Sequence, residues 1–137
     1  MKTFFDSSAF AKRYVEEPGS QVVDSLCQEA TEVALSVLCV PEIVSALNRR
    51  VREGRLTDRQ YAEVKQHLSL DIRDAVIVNL VPQVVSTSTK IFEANPVRAA
   101  DALQIACASE WEAELFVSGD KRQISAAKKA GLRTRLV

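Results

Sequence analysis

The sequence predicts an α/β fold, with helices covering both faces of a central parallel β-sheet. Three observations carry that expectation. Short apolar runs of strand length alternate with longer stretches of helical period along all 137 residues. Pro, Gly or Asn stands at several of the junctions, as at Pro18-Gly19, Gly54, Asn95-Pro96 and Gly131. Strand, helix and strand in repeated succession call for right-handed crossovers, which lay the strands parallel and bury the sheet between helices. No repeat, low-complexity segment or linker interrupts the pattern, so a single domain over residues 1–137 is expected.

Taken in order, Thr3 to Phe5 is a short apolar strand, and Ser7 to Val15 reads as a helix with Ala9, Phe10 and Tyr14 at near-helical spacing. Pro18-Gly19-Ser20 punctuates, and Val22, Val23, Leu26 and Cys27 mark an amphipathic helix. Val33 to Leu38 is a strand of buried type. Pro41 suits the first turn of the next helix, which carries Ile43, Val44, Leu47 and Val51 and stops at Gly54. Thr57 with Gln60 has capping-box spacing and opens a helix through Tyr61, Val64 and Leu68. Ala75 to Val81 reads as a strand, and Pro82 opens a helix running through Val85 to Phe92. Asn95-Pro96 breaks it, and from about Val97 a new helix places Ala99, Ala102, Leu103, Ala106 and Cys107 on one face. Leu115 to Ser118 is a strand, Ser125 to Ala130 is helical with Gly131 as its cap, and Leu132 to Val137 completes the sheet.

Composition narrows the function classes. Residues are 47% hydrophobic, enough for a substantial core. Eighteen basic residues balance eighteen acidic ones, so net charge gives no push toward nucleic acid or membrane. No apolar run approaches the roughly 20 residues of a membrane span. The start, Met1 to Asp6, is too short and too soon acidic for a signal peptide. Cys27, Cys39 and Cys107 are odd in number and widely spaced, which argues against a disulfide framework or a thiolate metal site. A cytoplasmic protein with reduced thiols acting as small apolar residues is expected.

Chemistry concentrates in four acids: Asp6, Glu42, Asp101 and Asp120. Asp6 and Asp120 follow strands, while Glu42 and Asp101 sit near helix starts. In an open parallel sheet ligands bind beyond the carboxyl ends of the strands, so the topology gathers all four at one edge. Such a cluster is costly without a cation, and oxygen ligands suit Mg²⁺ or Mn²⁺, which keep several waters. That points to phosphate chemistry with a metal-activated water, since nothing else in the chain suggests a nucleophile. Each acid taken alone is what a helix start or turn commonly carries; the inference rests on the four together.

Ser7, Ser8 and Ser118 stand beside these acids, where a hydroxyl can hold a carboxylate or orient a water. His67, the only histidine, lies mid-helix and is expected to have no catalytic part, and Trp111 is expected to pack. Charge is segregated: Arg49 to Lys65 holds six basic residues against three acids, and Lys121 to the end holds six with none. An acidic site flanked by such segments suits a polyanion gripped by its backbone.

These stretches resemble the PIN-domain ribonucleases, and specifically the VapC-type toxins of toxin–antitoxin pairs. The carrying residues are Phe5-Asp6-Ser7-Ser8-Ala9, Glu16 to Ser20, Pro41 to Leu47, Val97 to Ala106 and Val117 to Arg122, with Ala126-Ala127 and Gly131-Leu132 behind them. The resemblance spans essentially the whole chain and implies a three-layer α/β/α fold and metal-dependent cleavage of RNA. It makes Asp6 and Asp101 the principal metal ligands, Glu42 and Asp120 the completing or supporting acids, and Ser118 an accessory group. It also implies a VapB-type antitoxin as partner and a homodimer. Cys39 stands where relatives often have Ser or Thr, which weakens a helix cap. Gln104 stands where His is common, at a position not expected to be essential.

Two other readings compete. A receiver-like phosphoacceptor domain wants an acidic pair after the first strand and an Asp after the third, yet serines follow Asp6 and Pro82 follows Val81. A non-catalytic module binding RNA or protein is the other, and the intact set of four acids argues against it.

Overall fold

A computed structural model describes every residue from Met1 to Val137. Five parallel strands form one sheet in the order β3-β2-β1-β4-β5. They are β1 (Lys2–Phe5), β2 (Glu32–Ser36), β3 (Val76–Val78), β4 (Leu115–Ser118) and β5 (Thr134–Leu136). The helices are α1 (Ser7–Phe10), extended by a 3₁₀ turn over Ala11–Arg13, then α2 (Ser20–Glu29), α3 (Cys39–Arg52) and α4 (Asp58–Arg73). They continue as α5 (Pro82–Ala94), α6 (Ala99–Glu110) and α7 (Lys121–Lys129).

Strand alternation decides which helices cover which face. Phe4, Ala34 and Phe116 point to a core shared with Val84 and Ile91 of α5, Ala102, Ile105 and Ala106 of α6, and Ile124 and Ala127 of α7. Phe5, Leu35, Leu115 and Val117 point the other way, into a core with Phe10, Val23, Cys39, Ile43, Leu47 and Leu68 from α1 to α4. The result is three layers, α/β/α, around a parallel sheet. Register places Phe4 opposite both Ala34 and Phe116, and the Phe4 and Phe116 rings stack at 5.8 Å. Ala34 leaves room on one side of that stack, so the centre of the sheet is filled by large rings beside a small residue. The three cysteines are unpaired; Cys39 and Cys107 are buried within these cores.

Several boundaries differ from expectation for identifiable reasons. The helix expected over Ser7 to Val15 tightens after one turn, where the amides of Tyr14 and Val15 both bond the carbonyl of Ala11. The second strand ends at Ser36 rather than Leu38, because the Ser36 hydroxyl accepts from the Leu38 amide and turns the chain into α3. The third strand is three residues instead of Ala75 to Val81: it is an edge strand, paired only with β2. The sixth helix starts at Ala99, with Arg98 in extended conformation as its cap. Expected to start at Ser125, α7 begins at Lys121, since the Asp120 side chain caps it. The last strand spans Thr134–Leu136 within the expected Leu132 to Val137. At Thr57 the capping box forms as expected, with Gln60 reciprocating.

Candidate active site

Asp6 leaves β1 at the centre of the sheet. Its backbone N–H still pairs with Val117 of β4, and its side chain caps α1 by accepting from the Ala9 amide at 2.8 Å. Two hydroxyls add to that: Ser8 donates to Oδ1 at 2.8 Å, and Ser118 donates to Oδ2. Each hydroxyl is itself held by a backbone amide of the β4–α7 turn. Gly119 donates to Ser8 Oγ and Asp120 donates to Ser118 Oγ, both at 3.0 Å. The carboxylate is therefore fixed by donors from α1 and from the end of β4. It is also 1% exposed. Burial pushes its pKa up to about 6, against the lowering influence of Ser118, Ala9 and Ser8, and the negative charge of Asp101 adds to the rise.

Glu42 lies in the first turn of α3 and is half-buried. One oxygen, Oε1, accepts from Ser7 Oγ at 2.8 Å and from Gln104 Nε2 at 2.8 Å, and the same Gln104 nitrogen donates to Ser7 Oγ at 2.7 Å. Asp101 lies in the first turn of α6, where the helix dipole favours its charge, and Arg98 approaches Asp101 Oδ2 at 3.4 Å. Asp120 accepts from the Arg122 amide at 2.8 Å while capping α7. Gln123, one turn further on, is buried and donates to the carbonyl of Asp101 at 3.4 Å.

All four predicted acids line one cleft of about 100 Å³, together with Ser7, Ser8, Arg98, Gln104 and Gln123. It contains no hydrophobic side chain. The cleft sits beyond the carboxyl ends of β1 and β4, where the sheet order reverses direction. A larger cavity of about 210 Å³, lined by Phe10, Arg13, Cys27 and Asp71 among others, holds none of the four acids.

Beside the Arg98 guanidinium, the side chains lining the cleft are carboxylates, hydroxyls and two amides, whose oxygens are the set preferred by a hard divalent cation. No three His, Cys, Asp or Glu side chains are grouped tightly enough to enclose an ion between them. A second indication is the Gln104 carbonyl oxygen, which is buried without a hydrogen-bond partner. Leaving such an acceptor unmade costs about 1–3 kcal/mol.

Of the residues singled out from sequence, Ser7 and Ser118 both reach the site, but they serve different acids. Ser8 holds Asp6, and Gln104, given no role from sequence, holds Glu42. A spacing signal existed for Gln104 and Gln123: each lies three residues after a site acid on the same helix face. Cys39 is a buried first-turn residue of α3, whose cap position is Leu38 with no side-chain bond. Burial pushes its thiol up to about 12. His67 is exposed on α4, away from the acids. Trp111 packs against the α5–α7 core with the Lys2 ammonium 4.3 Å from its ring centre. Of the Arg49 to Lys65 segment, Arg50, Arg55 and Arg59 are paired with acids. None of the six basic residues from Lys121 onward forms an ion pair, and α7 carries the first of them directly after Asp120.

The sequence model of the PIN domain matches residues 3–129. The chain belongs to the PIN-domain family. Solved structures with the same fold include the FitAcB crystal structure from Neisseria gonorrhoeae, at 16% identity and a TM-score of 0.70 over 96% of this chain and 95% of that one. VapC20 of Mycobacterium tuberculosis, described as a Sarcin-Ricin loop cleaving toxin, aligns at 14% identity and a TM-score of 0.70. That alignment covers 90% of this chain and 94% of VapC20. VapBC2 of Rickettsia felis, bound to a DNA fragment from its promoter, aligns at 11% identity and a TM-score of 0.71 over 100% and 99% of the two chains. No curated protein matches the sequence. At these identities the PIN-domain likeness to the solved structures is one of fold.

Proposed function

We propose that this PIN-domain chain is a divalent-metal-dependent endoribonuclease and the toxin of a VapBC-like toxin–antitoxin pair, acting in the cytoplasm. The observation that carries the reading is the convergence of four carboxylates, from four separate elements, on one wholly polar cleft at the sheet's carboxyl edge. Asp6 and Asp101 are the residues to hold Mg²⁺ or Mn²⁺ directly, with Glu42 and Asp120 completing or supporting the site. An ion held there would supply polarisation of a phosphoryl oxygen and a lower pKa for water at the site. The protein's own work is positional. Ser8, Ser118 and the Ala9 amide hold Asp6 in one orientation, and Ser7 holds Glu42. Lys121 and Arg122, exposed and without an ion pair, directly follow Asp120, placed to grip phosphates flanking the one in the cleft.

An antitoxin partner is supported by the VapBC2 complex among the structures of the same fold. A second copy of the chain is a further proposed partner, supported by Val81, Val85 and Phe92, each about half exposed at or along α5. No helix is long and apolar enough to cross a membrane.

The test is cleavage of RNA by the purified chain with Mg²⁺ or Mn²⁺. Asp6→Ala and Asp101→Ala are expected to abolish it while the fold stays intact, and EDTA to stop it. Full cleavage by either folded variant, or in excess EDTA, refutes the mechanism. Wild-type rates for Glu42→Gln would reduce Glu42 to a helix-start residue.

A further inference from the structure

We propose that Gln104 is a positioning residue of the acidic cleft: its amide nitrogen pins Glu42 and Ser7, and its amide oxygen accepts from a water of the bound divalent cation. The inference rests on the proposed metal-dependent function and adds a residue that the four acids alone do not predict.

Gln104 is 2% exposed on α6, one turn past Asp101, and it lines the cleft. An amide nitrogen has two N–H donors, and here both are used, on Ser7 Oγ at 2.7 Å and on Glu42 Oε1 at 2.8 Å. Ser7 donates to the same Glu42 oxygen at 2.8 Å. Two donors on Oε1 decide which oxygen of Glu42 is spent inside the protein, and Oε2 stays free for the cleft. The amide cannot be turned over, because its oxygen would then face the Glu42 oxygen at 2.8 Å, acceptor against acceptor. The Gln104 carbonyl is thus committed to its present side.

On that side it meets no donor, and it is the one buried side-chain oxygen or nitrogen in the structure without a partner. Buried acceptors are almost always satisfied, and Gln104 lines the cleft, so we assign the missing donor to the cleft's occupant. The acids lining that cleft are acceptors when ionised, and the occupant must supply the hydrogens. A hydrated Mg²⁺ or Mn²⁺ does so, because it retains waters whose protons it polarises. A neutral amide then bonds one of those waters without adding a fifth negative charge. Outer partners of this kind hold metal ligands and waters in place.

The experiment is an electron paramagnetic resonance titration of the full chain with Mn²⁺ alone, followed by RNA cleavage kinetics. Gln104→Met keeps the length of the side chain and removes its donors and acceptor. It is expected to weaken Mn²⁺ binding by about 10- to 100-fold. The same variant should lower kcat with little change in KM for RNA, and shift the metal-free unfolding midpoint little, since the lost bonds to Glu42 and Ser7 are offset by removal of the orphaned acceptor. Ser7→Ala, which keeps the Gln104–Glu42 bond, should lose less. The double variant should lose less than the product of the two single losses, because both act through one Glu42 oxygen. A folded Gln104→Met that binds Mn²⁺ as tightly as the wild type overturns the inference while leaving the proposed function standing. Should Gln104→Met not fold, unaltered Mn²⁺ affinity in a folded Gln104→Ala overturns it instead. A wild-type chain that neither binds Mn²⁺ nor cuts RNA overturns both.

Discussion

Replacing Asp6 by Asn should make the metal-free protein more stable at neutral pH, and the gain should vanish in acid. The folded chain holds the Asp6 carboxyl at a pKa of about 6, against an ordinary 3.8, chiefly because it is buried. At about 1.4 kcal/mol for each tenfold step, ionised Asp6 costs the fold about 3 kcal/mol. The sign follows from linkage: the raised value means that the fold prefers the proton. Relative stability from this group is complete below 3.8, declines between 3.8 and about 6, and is fully lost above. Asn carries no charge, keeps an oxygen for Ala9 and Ser8, and can donate to Ser118, which reverses its bond. The stability gap between Asp6→Asn and wild type should therefore widen by roughly 2 kcal/mol between about pH 4 and pH 8. Urea unfolding in EDTA measures it, as a midpoint difference that grows by about 1 M for a slope near 2 kcal/mol per molar. Adding Mn²⁺ at pH 8 should close the gap by stabilising the wild type alone. A gap of equal size at both pH values would refute the reasoning, since burial would then exact no cost from the charge.

Other outcomes follow from the same contacts. Ser118→Ala removes the only side-chain donor on Asp6 Oδ2, so it should cost about 1.5–3 kcal/mol near pH 8. That hydrogen bond lowers the Asp6 pKa, so the acid limb of the RNA-cleavage pH profile should move to higher pH. Gly19→Ala should destabilise by about 1–3 kcal/mol in thermal unfolding. Its φ is 98°, and a Cβ there would lie 2.9 Å from the carbonyl carbon of Val137. Thr57→Ala breaks the capping box of α4 and should cost about 1 kcal/mol, with Mn²⁺ affinity unchanged because α4 does not reach the cleft.

How much was legible in the sequence depends on whether the signal was local. Strand and helix order could be read because β-branched runs and helical spacing are properties of neighbouring residues. The four acids could be gathered because a parallel sheet sends every strand end to one edge. Boundaries failed where a partner decides them. Val76–Val78 is short because only β2 pairs with it, and α7 starts early because a site acid doubles as its cap. Division of labour among the serines was equally out of reach. Ser7 and Ser8 are adjacent in sequence, yet a one-residue step around α1 sends one hydroxyl to Glu42 and the other to Asp6. The sequence names Gln104 but gives it no role, because its partners lie 62 and 97 positions away.

The hydroxyl that steadies Asp6 is 112 positions further along the chain, and the amide that steadies its neighbour Ser8 is 111 away. Along the chain, the first strand and its acid are made well before the fourth strand, the turn after it and two of the four acids. A partly made chain carries Asp6 without Asp101, Ser118 or Asp120, and so holds no organised cleft. For a protein proposed to cut RNA, that ordering delays assembly of the cleft until the chain past Asp120 has been made.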